Sequence, residues 1–414
     1  MFPWQEILQL VISGTLTVFT ETLFWMIMAL VGYQYWQMRK TQKRMFGVYS
    51  YSLTRQVATA GLYGTLGGLL ASFLLTAAGV TLNQLGLSYI WPVAMVLMVI
   101  NMRFLCFAYA GGLVALSNVL FGWPVVNVPQ VLALVAILHI TESLLIAVSG
   151  RCSSAPLILK RPNGQLVGAF SLQNFWPLPL VLLAAVAVPL GGASPGMIHM
   201  PDWWPLLPVG IAPPDGKGWI YMMLPVVAAL GYTDMAVSSQ PAARRLKSAW
   251  HLGLYSMVLL TLALLSVKFP ALQVVAALVS PLGHELLIQI DSRQELQGKP
   301  IFVPPEKGVM VLETVDRSPG RKAGLRPGDI IYSLGGRPVN SGYELGEALA
   351  YAPPRFVVEC LRAGKIILRD LQFGDEGRQL GVILVPQGGE PYYVELTTER
   401  FGLIDWLKAK IKRR

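Results

Sequence analysis

Four histidines and a few acidic residues are the side chains with which this chain could do chemistry, and one pair resembles part of a zinc-protease motif. Such proteases use a His-Glu-x-x-His helix, in which the two histidines bind zinc and the glutamate activates water. His284 and Glu285 begin this motif, but Ile288 occupies the second histidine position. The Asp-Gly expected in a later membrane helix occurs only earlier, at Asp215-Gly216. We therefore expect no catalytic residues, no metal and no cofactor.

Ionisable residues also fall within apolar stretches, where charges are costly and often functional. There are seven: Glu21, Arg103, His139, Glu142, Asp234, His284 and Glu285. His139 and Glu142 lie three residues apart, on one helical face. Pairing inside a helix bundle and an ion path through a transporter both stay open, although no inverted repeat typical of transporters is visible. Arg103 is expected in a cytosolic turn, where it needs no partner.

The elements around residues 308–373 alternate β-prone runs with one helical stretch. Residues 318–331 read Ser-Pro-Gly-Arg-Lys-Ala-Gly-Leu-Arg-Pro-Gly-Asp-Ile-Ile. This is similar to the Ser-Pro-Ala-x-x-Ala-Gly-Leu-x-x-Gly-Asp-x-Ile pattern of bacterial PDZ domains, with Gly320 where alanine is usual. Ser-Pro begins a short helix, Gly324 ends it and Leu325 enters the core. A first strand at 308–312, a helix at 343–351 and strands at 355–362 and 365–373 complete the predicted module.

A PDZ domain binds an extended peptide by adding it to a strand edge beside a helix, and backbone N–H groups of a glycine-containing loop hold the peptide carboxylate. The best match to that loop comes late, and it indicates a circularly permuted order with the peptide-pairing strand last. The candidate peptide-binding residues are Leu380, Gly381, Val382, Ile383 and Leu384, with Leu345 and Leu349 on the helix. The segment 300–303 is the rival site. Leu345 and Leu349 fit either the groove or the core.

The N-terminal three quarters of the chain must anchor this module, and their composition is that of a membrane protein. The chain is 54% hydrophobic and 14% charged, with a mean hydropathy of +0.52, whereas soluble domains have about 25% charged residues. About eight helical crossings are expected from nine apolar stretches, namely 7–36, 57–79, 88–102, 104–122, 129–149, 177–193, 219–237, 250–267 and 271–290. Basic residues cluster at 39–55, 151–161 and 244–247, which predicts that these loops are cytoplasmic.

The fold class is therefore a polytopic α-helical membrane domain, at 1–298, followed by a small α+β PDZ domain, at 299–390. The membrane domain includes a cytosolic hairpin at 151–176, because Asn163-Gly164 separates two β-prone runs. Residues 391–414 are expected to end in a basic amphipathic helix from 397, which suits an anionic membrane surface as well as ordinary helix capping.

Several of these segments together resemble the MinJ-like cell-division topological determinants of Gram-positive rods. The resemblance includes Arg103-Phe104-Leu105 with 109–112, the stretch 159–168, the stretch 172–177, and Leu380-Gly381-Val382-Ile383-Leu384. It also includes the order of a multispan domain and a terminal cytosolic PDZ domain. Gly320 and the basic terminal helix depart from the family pattern.

The resemblance implies a non-catalytic scaffold that positions division machinery. Members of this family link the polar protein DivIVA to the MinCD inhibitor, so DivIVA-like and MinD-like proteins are the expected partners, together with membrane lipids but no nucleic acid. The expected location is the cell membrane, at the division septum and cell poles. A transporter with a regulatory PDZ domain and a PDZ adaptor for a membrane protease are the alternatives.

Overall fold

The N-terminal domain combines helices with three strands, and the computed structural model describes residues 2–150, 154–189, 197–374 and 377–395. The first six helices are α1 (Trp4–Val18), α2 (Thr22–Phe46), α3 (Leu53–Ala78), α4 (Leu87–Ile100), α5 (Phe107–Phe121) and α6 (Val128–Val148). The strands β1 (Ser154–Lys160), β2 (Leu166–Pro189) and β3 (Lys217–Ala236) follow, and then the helices α7 (Pro241–Leu265) and α8 (Ala271–Gln297).

Four of these helices are long and apolar enough to cross a membrane: α3, α6, α7 and α8. The first apolar stretch is divided into α1 and α2, which meet at 72° and would make a fifth span if they cross together. Glu21 is exposed at this break, at the N-terminal cap of α2. The helices α4 and α5 are apolar but shorter.

Two of the predicted helical spans are wrong. The stretches 177–193 and 219–237 lie largely in β2 and β3, which form a long antiparallel hairpin paired from Phe170–Ala236 to Pro189–Lys217. An apolar run rich in valine and leucine fits a buried strand as well as a helix. Pro177 and Pro179 do not exclude a helix, because they would lie in its first turn, where N–H groups have no helical acceptor.

The edge of β2 is covered where β1 ends. Within the described residues, β1 pairs with β2 as far as Leu172. Beyond that point Val181 N donates to Ser72 Oγ at 2.8 Å, and the Ala185 backbone makes both of its hydrogen bonds to the Asn83 side chain, at 2.7 and 2.8 Å. Pro177 and Pro179 have no N–H to satisfy.

Helix α3 can cover this edge because it presents glycines to it. A Cβ added at Gly64 would overlap the Pro177 carbonyl oxygen, and one at Gly68 would overlap the Pro179 carbonyl oxygen. Small residues let a helix backbone approach its neighbour closely. The close contact of α3 and β2 therefore depends on these two glycines.

The predicted hairpin at the start of β2 is present. β1 and β2 pair in register from Ser154–Leu172 to Lys160–Leu166, and Gly164 takes the left-handed conformation in the turn, with φ of +82°. The second strand runs much further than the predicted limit at 176.

The C-terminal module has its own sheet and its own core. Its elements are β4 (Val309–Thr314), α9 (Pro319–Lys322), β5 (Ile330–Leu334), β6 (Arg337–Pro338), α10 (Gly342–Tyr351), β7 (Arg355–Arg362), β8 (Lys365–Gln372) and β9 (Val382–Leu384). The sheet order is β8-β7-β5-β4-β9, with β6 beside β5. Leu325 is buried in the core and Ser318 caps α9, as the motif predicts.

A last short strand, β10 (Val394–Glu395), pairs in parallel with β1. Lys160 Nζ lies 3.1 Å from Glu395 Oε1 across this pair. The remainder of the predicted basic helix, from residue 396 onward, lies outside the described residues.

We predict that Gly64→Ala destabilises the N-terminal domain by about 1–3 kcal/mol, the usual cost of overpacking. The added methyl group would overlap the Pro177 carbonyl oxygen, which is backbone and cannot move aside easily. Gly61→Ala is the matched control in the same helix, because its Cβ would meet only the flexible end of Met28, at 3.3 Å. The melting temperature of the purified protein in detergent measures both. Equal effects of the two substitutions would contradict the proposed close contact.

Candidate functional site

The C-terminal module ends in a strand with a free edge beside a helix. Among the described strands β9 pairs only with β4. A Cβ added at Gly342, at the start of α10, would lie 3.4 Å from Leu384 Cδ1. An extended peptide can add to an edge of this kind, with its side chains between the strand and the helix.

The loop before β9 turns its carbonyl groups toward the module. The Gly320 N–H donates to the Leu380 carbonyl at 2.9 Å, and the Val315 N–H and Ser318 hydroxyl donate to the Gly381 carbonyl at 2.8 and 3.1 Å. Among the described residues, the N–H groups of Leu380 and Gly381 have no acceptor. This loop therefore has N–H groups available for an anion.

Gly320, the departure from the usual motif, has a structural reason at this loop. A Cβ there would lie 2.8 Å from the Leu380 carbonyl oxygen, which is shorter than real Cβ contacts. Gly381 has φ of +66°, and a Cβ on it would overlap Ser318. Both positions are therefore held to glycine by the loop geometry.

The structure places the seven candidate residues on β9, on α10 and in the loop between β8 and β9. Leu345, Leu349 and Leu380 are buried in the core of the module. Val382 and Leu384 are partly buried against the same core, whereas Ile383 points the opposite way and is buried elsewhere. The rival segment is placed apart from this groove, because the Phe302 carbonyl accepts from the Gly168 N–H at 2.8 Å and so joins β2 instead.

The face of the module opposite its core packs on the N-terminal domain. Ile383 and Val385 belong to the large hydrophobic core of that domain, together with Leu312, Phe302 and Phe170. The rings of Phe170 and Phe302 meet edge to face, with their centroids 5.3 Å apart. β9 is therefore fixed from behind.

A charged cluster clamps the two domains together at a second place. Asp316 accepts from Arg55 at 2.6 Å and from Arg321 at 3.1 Å, and its N–H donates to the Ser50 carbonyl at 2.9 Å. Arg321 also donates to the Tyr51 hydroxyl and lies over that ring, 4.7 Å from its centroid.

Protonation of Asp316 should weaken this clamp only in acid. Burial raises the pKa of the Asp316 carboxyl, but the guanidinium groups of Arg55 and Arg321 outweigh it and hold the pKa below its usual value. A carboxyl with a lowered pKa contributes full stability above its free pKa, about 3.9. That contribution is lost as pH falls through the lowered pKa, so the clamp persists at neutral pH.

Sequence reasoning missed the clamp and the groove glycines. Arg55, Asp316 and Arg321 are distant in sequence, so no local pattern joins them. Gly342 and Gly346 carried a usable signal, since glycines four residues apart on a short helix leave one face without side chains.

Most of the buried ionisable residues are paired. Asp234 accepts from Arg244 at 3.0 Å and from Ser248 at 2.9 Å. Arg244 is 1% exposed and also lies 3.6 Å from Asp291. Glu142 is half-buried and has no hydrogen bond or salt bridge to a described residue. This pattern supports internal pairing better than an ion path.

The expectation that Arg103 has no partner is wrong. Arg103 follows α4 in a short 3-10 helix, and its guanidinium lies 2.7 Å from Glu285 in the middle of α8. Glu285 also accepts from the Tyr109 hydroxyl, at 2.8 Å. The helices α4 and α5 have 14 and 15 residues, and the turn between them meets α8 near its middle.

Comparison with known proteins identifies the class of the C-terminal module. Residues 310–361 match the PDZ domain family. Together with the apolar helices, this defines a membrane protein with a C-terminal PDZ domain. Over 265 residues the chain is 24% identical to the cell division topological determinant MinJ of Bacillus subtilis (strain 168), so it is MinJ-like. The alignment covers 63% of this chain and 63% of MinJ, which is less than two thirds of that relative.

Two further matches each cover about a fifth of the chain. The magnetosome formation protease MamE of Magnetospirillum gryphiswaldense is 35% identical over 86 residues, which is 20% of this chain and 11% of MamE. The PDZ domain of the SdrC-like protein from Listeria monocytogenes is 20% identical, with a TM-score of 0.17, over 19% of this chain and 90% of that structure.

We predict that Asp316→Asn loosens the docked PDZ domain. The neutral amide keeps the shape but loses the charge-assisted bonds, each worth about 1.5–3 kcal/mol when buried and less for the half-exposed Arg55. Hydrogen exchange at the Asp316 amide should accelerate about threefold to tenfold. Asp370→Asn is the control, because the Arg355–Asp370 pair is exposed on the far side of the module. Unchanged exchange in Asp316→Asn would show that the apolar contact alone holds the domains.

Proposed function

We propose that this chain is a non-catalytic membrane scaffold whose PDZ groove recruits partner proteins. The observation that carries the proposal is the position of β9. Its edge is free beside α10, while its back, at Ile383, is buried in the N-terminal domain. A partner bound there would be held at a fixed place relative to the membrane.

The groove suits an extended segment that ends in a free carboxylate. The N–H groups of Leu380 and Gly381, which have no acceptor in the described part of the chain, can donate to such an anion. Arg378 adds a positive charge near this loop. Its guanidinium is held there by a hydrogen bond to the Ala350 carbonyl, near the end of α10. The groove side of β9 is apolar, at Val382 and Leu384, and would bind apolar side chains of the partner.

The PDZ domain lies on the side of the basic loops. Arg55 contacts Asp316 of the PDZ domain, and Lys160 contacts Glu395 in β10, which follows that domain. Loops rich in lysine and arginine stay in the cytoplasm. We therefore place the PDZ domain on the cytoplasmic face of a multi-pass protein.

The cellular role we propose is positioning of the division machinery. Its support is the similarity to MinJ, a cell division topological determinant. In this role the chain would lie at septa and cell poles and connect a DivIVA-like polar protein to a MinCD-like inhibitor. The pairing of Asp234 with Arg244 and of Glu285 with Arg103 favours this role over transport.

We predict that Gly346→Trp blocks partner binding and leaves the protein folded in the membrane. Gly346 is one turn after Gly342, so it shares the face of α10 beside β9. A Cβ at Gly346 meets no atom within 4 Å, so an indole would occupy the groove rather than clash with the core. A fluorescent fusion of this variant should spread evenly over the membrane, while the unaltered chain concentrates at septa.

The matched control is Glu347→Trp, which puts the same ring on the exposed neighbouring position of α10 and should keep the septal pattern. Leu380→Asp and Gly381→Trp are poorer tests, because Leu380 is in the core and Gly381 is crowded by Ser318. If Gly346→Trp localises and divides normally, the groove is not the recognition site. If deletion of the gene leaves division sites unchanged, the division role itself is wrong.

A further inference from the structure

Three metal-ligating side chains from three helices meet inside the bundle. Cys106 caps the start of α5, His139 lies about 17 Å along α6, and His284 lies about 20 Å along α8. Cys106 Sγ is 3.1 Å from His139 Nε2 and 3.9 Å from His284 Nε2. All three ligand atoms lie within 4.8 Å of one another.

These separations fit one tetrahedral cation. Zinc takes sulfur at about 2.3 Å and nitrogen at about 2.0–2.1 Å, so sulfur and nitrogen at two corners of a tetrahedron are roughly 3.6 Å apart. The two observed distances lie on either side of that value. Three protein ligands leave a fourth corner for water or another donor.

The protonation of His139 is suited to metal binding. Its Nδ1 lies 2.7 Å from the Val135 carbonyl, which can only accept, so Nδ1 carries the hydrogen. The lone pair of Nε2 therefore points at Cys106. A zinc-bound histidine usually donates the N–H of its other ring nitrogen to a carbonyl or carboxylate oxygen. His284 Nδ1 is buried and has no partner among the described residues.

Aromatic rings pack against the two imidazoles. The Tyr255 ring lies edge to face with His139 at 6.0 Å and also contacts His284 at 5.9 Å, while Tyr109 meets His284 at 5.2 Å. These rings fix the imidazoles, while Cys106 and His284 remain partly exposed. Glu285, next to His284, is already engaged by Arg103 and Tyr109, so it is not free to act as a base on a bound water.

We propose that Cys106, His139 and His284 bind one zinc-class cation that ties the turn of the α4–α5 hairpin to α6 and α8. A thiolate with two imidazoles selects zinc and similar borderline-soft metals over magnesium or calcium. Binding releases the thiol proton of Cys106 to solvent and changes no oxidation state. The proposal does not rest on the scaffold role.

The test uses the full chain, purified in detergent, stripped with a chelator and titrated with Co²⁺ and then Zn²⁺. In a Cys152→Ser, Cys360→Ser background, Cys106 is the only thiol. One equivalent of Co²⁺ should give tetrahedral bands with a thiolate charge-transfer band, and Zn²⁺ should displace them. Mg²⁺ should have no effect.

Adding Cys106→Ser to this background should abolish the charge-transfer band. Adding His139→Gln or His284→Gln should weaken Co²⁺ binding by more than the roughly 10–100-fold that is typical of a lost outer-shell partner. His251→Gln is the control, since His251 pairs with Asp291 at 2.8 Å outside the cluster. A second readout needs no ligand variant, because Zn²⁺ but not Mg²⁺ should protect Cys106 from a thiol reagent. If the folded background protein shows neither the cobalt spectrum nor this protection, the proposal is overturned. The cluster is then only a hydrogen bond between Cys106 and a histidine.

Discussion

The backbone of β2 beyond Leu172 is the constraint on which the rest of the structure depends. An open sheet edge is not tolerated in lipid, because each unpaired N–H or carbonyl costs several kcal/mol. Here β1 does not cover this part of the β2 edge. The side chains of Ser72 and Asn83 bind its backbone groups instead, and two prolines have no N–H that needs an acceptor. Gly64 and Gly68 let α3 approach closely enough to complete that cover. These contacts close the β2 edge of the hairpin beyond Leu172, whereas the outer edge of β3 pairs with no described strand.

A rigid hairpin also explains why the PDZ domain has a fixed place. The start of β2 carries Gly168, whose N–H binds the Phe302 carbonyl, and Phe302 packs with Leu312 in the same core. The loop at 50–55 then meets Asp316 on the far side of the contact. The first contact lies on the back of the PDZ domain, and the second lies on a loop away from α10. Neither covers the groove. A groove held in this way presents its free edge at one orientation to the membrane, which suits a scaffold better than a freely tethered module.

The sequence predicted the PDZ domain almost element by element, because glycine, proline and serine at fixed spacing specify its turns. It also located α3, α6, α7 and α8 from length and hydropathy. It misassigned β2 and β3, since an apolar run has no period that separates a buried strand from a membrane helix. The Arg103–Glu285 pair and the convergence of Cys106, His139 and His284 were out of reach, because they join residues from separate helices. Gly320 was recognised as unusual, and its reason became visible only beside the Leu380 carbonyl.

The central claim is that the PDZ domain is fixed on the membrane domain with an open groove. The most direct test is a distance distribution between two spin labels in the full chain. Labels on unnatural amino acids at Asn163 and Glu347, both exposed, would leave every cysteine in place. A fixed PDZ domain predicts one narrow distribution in lipid nanodiscs. A broad distribution, as expected for a module on a flexible linker, would contradict the account.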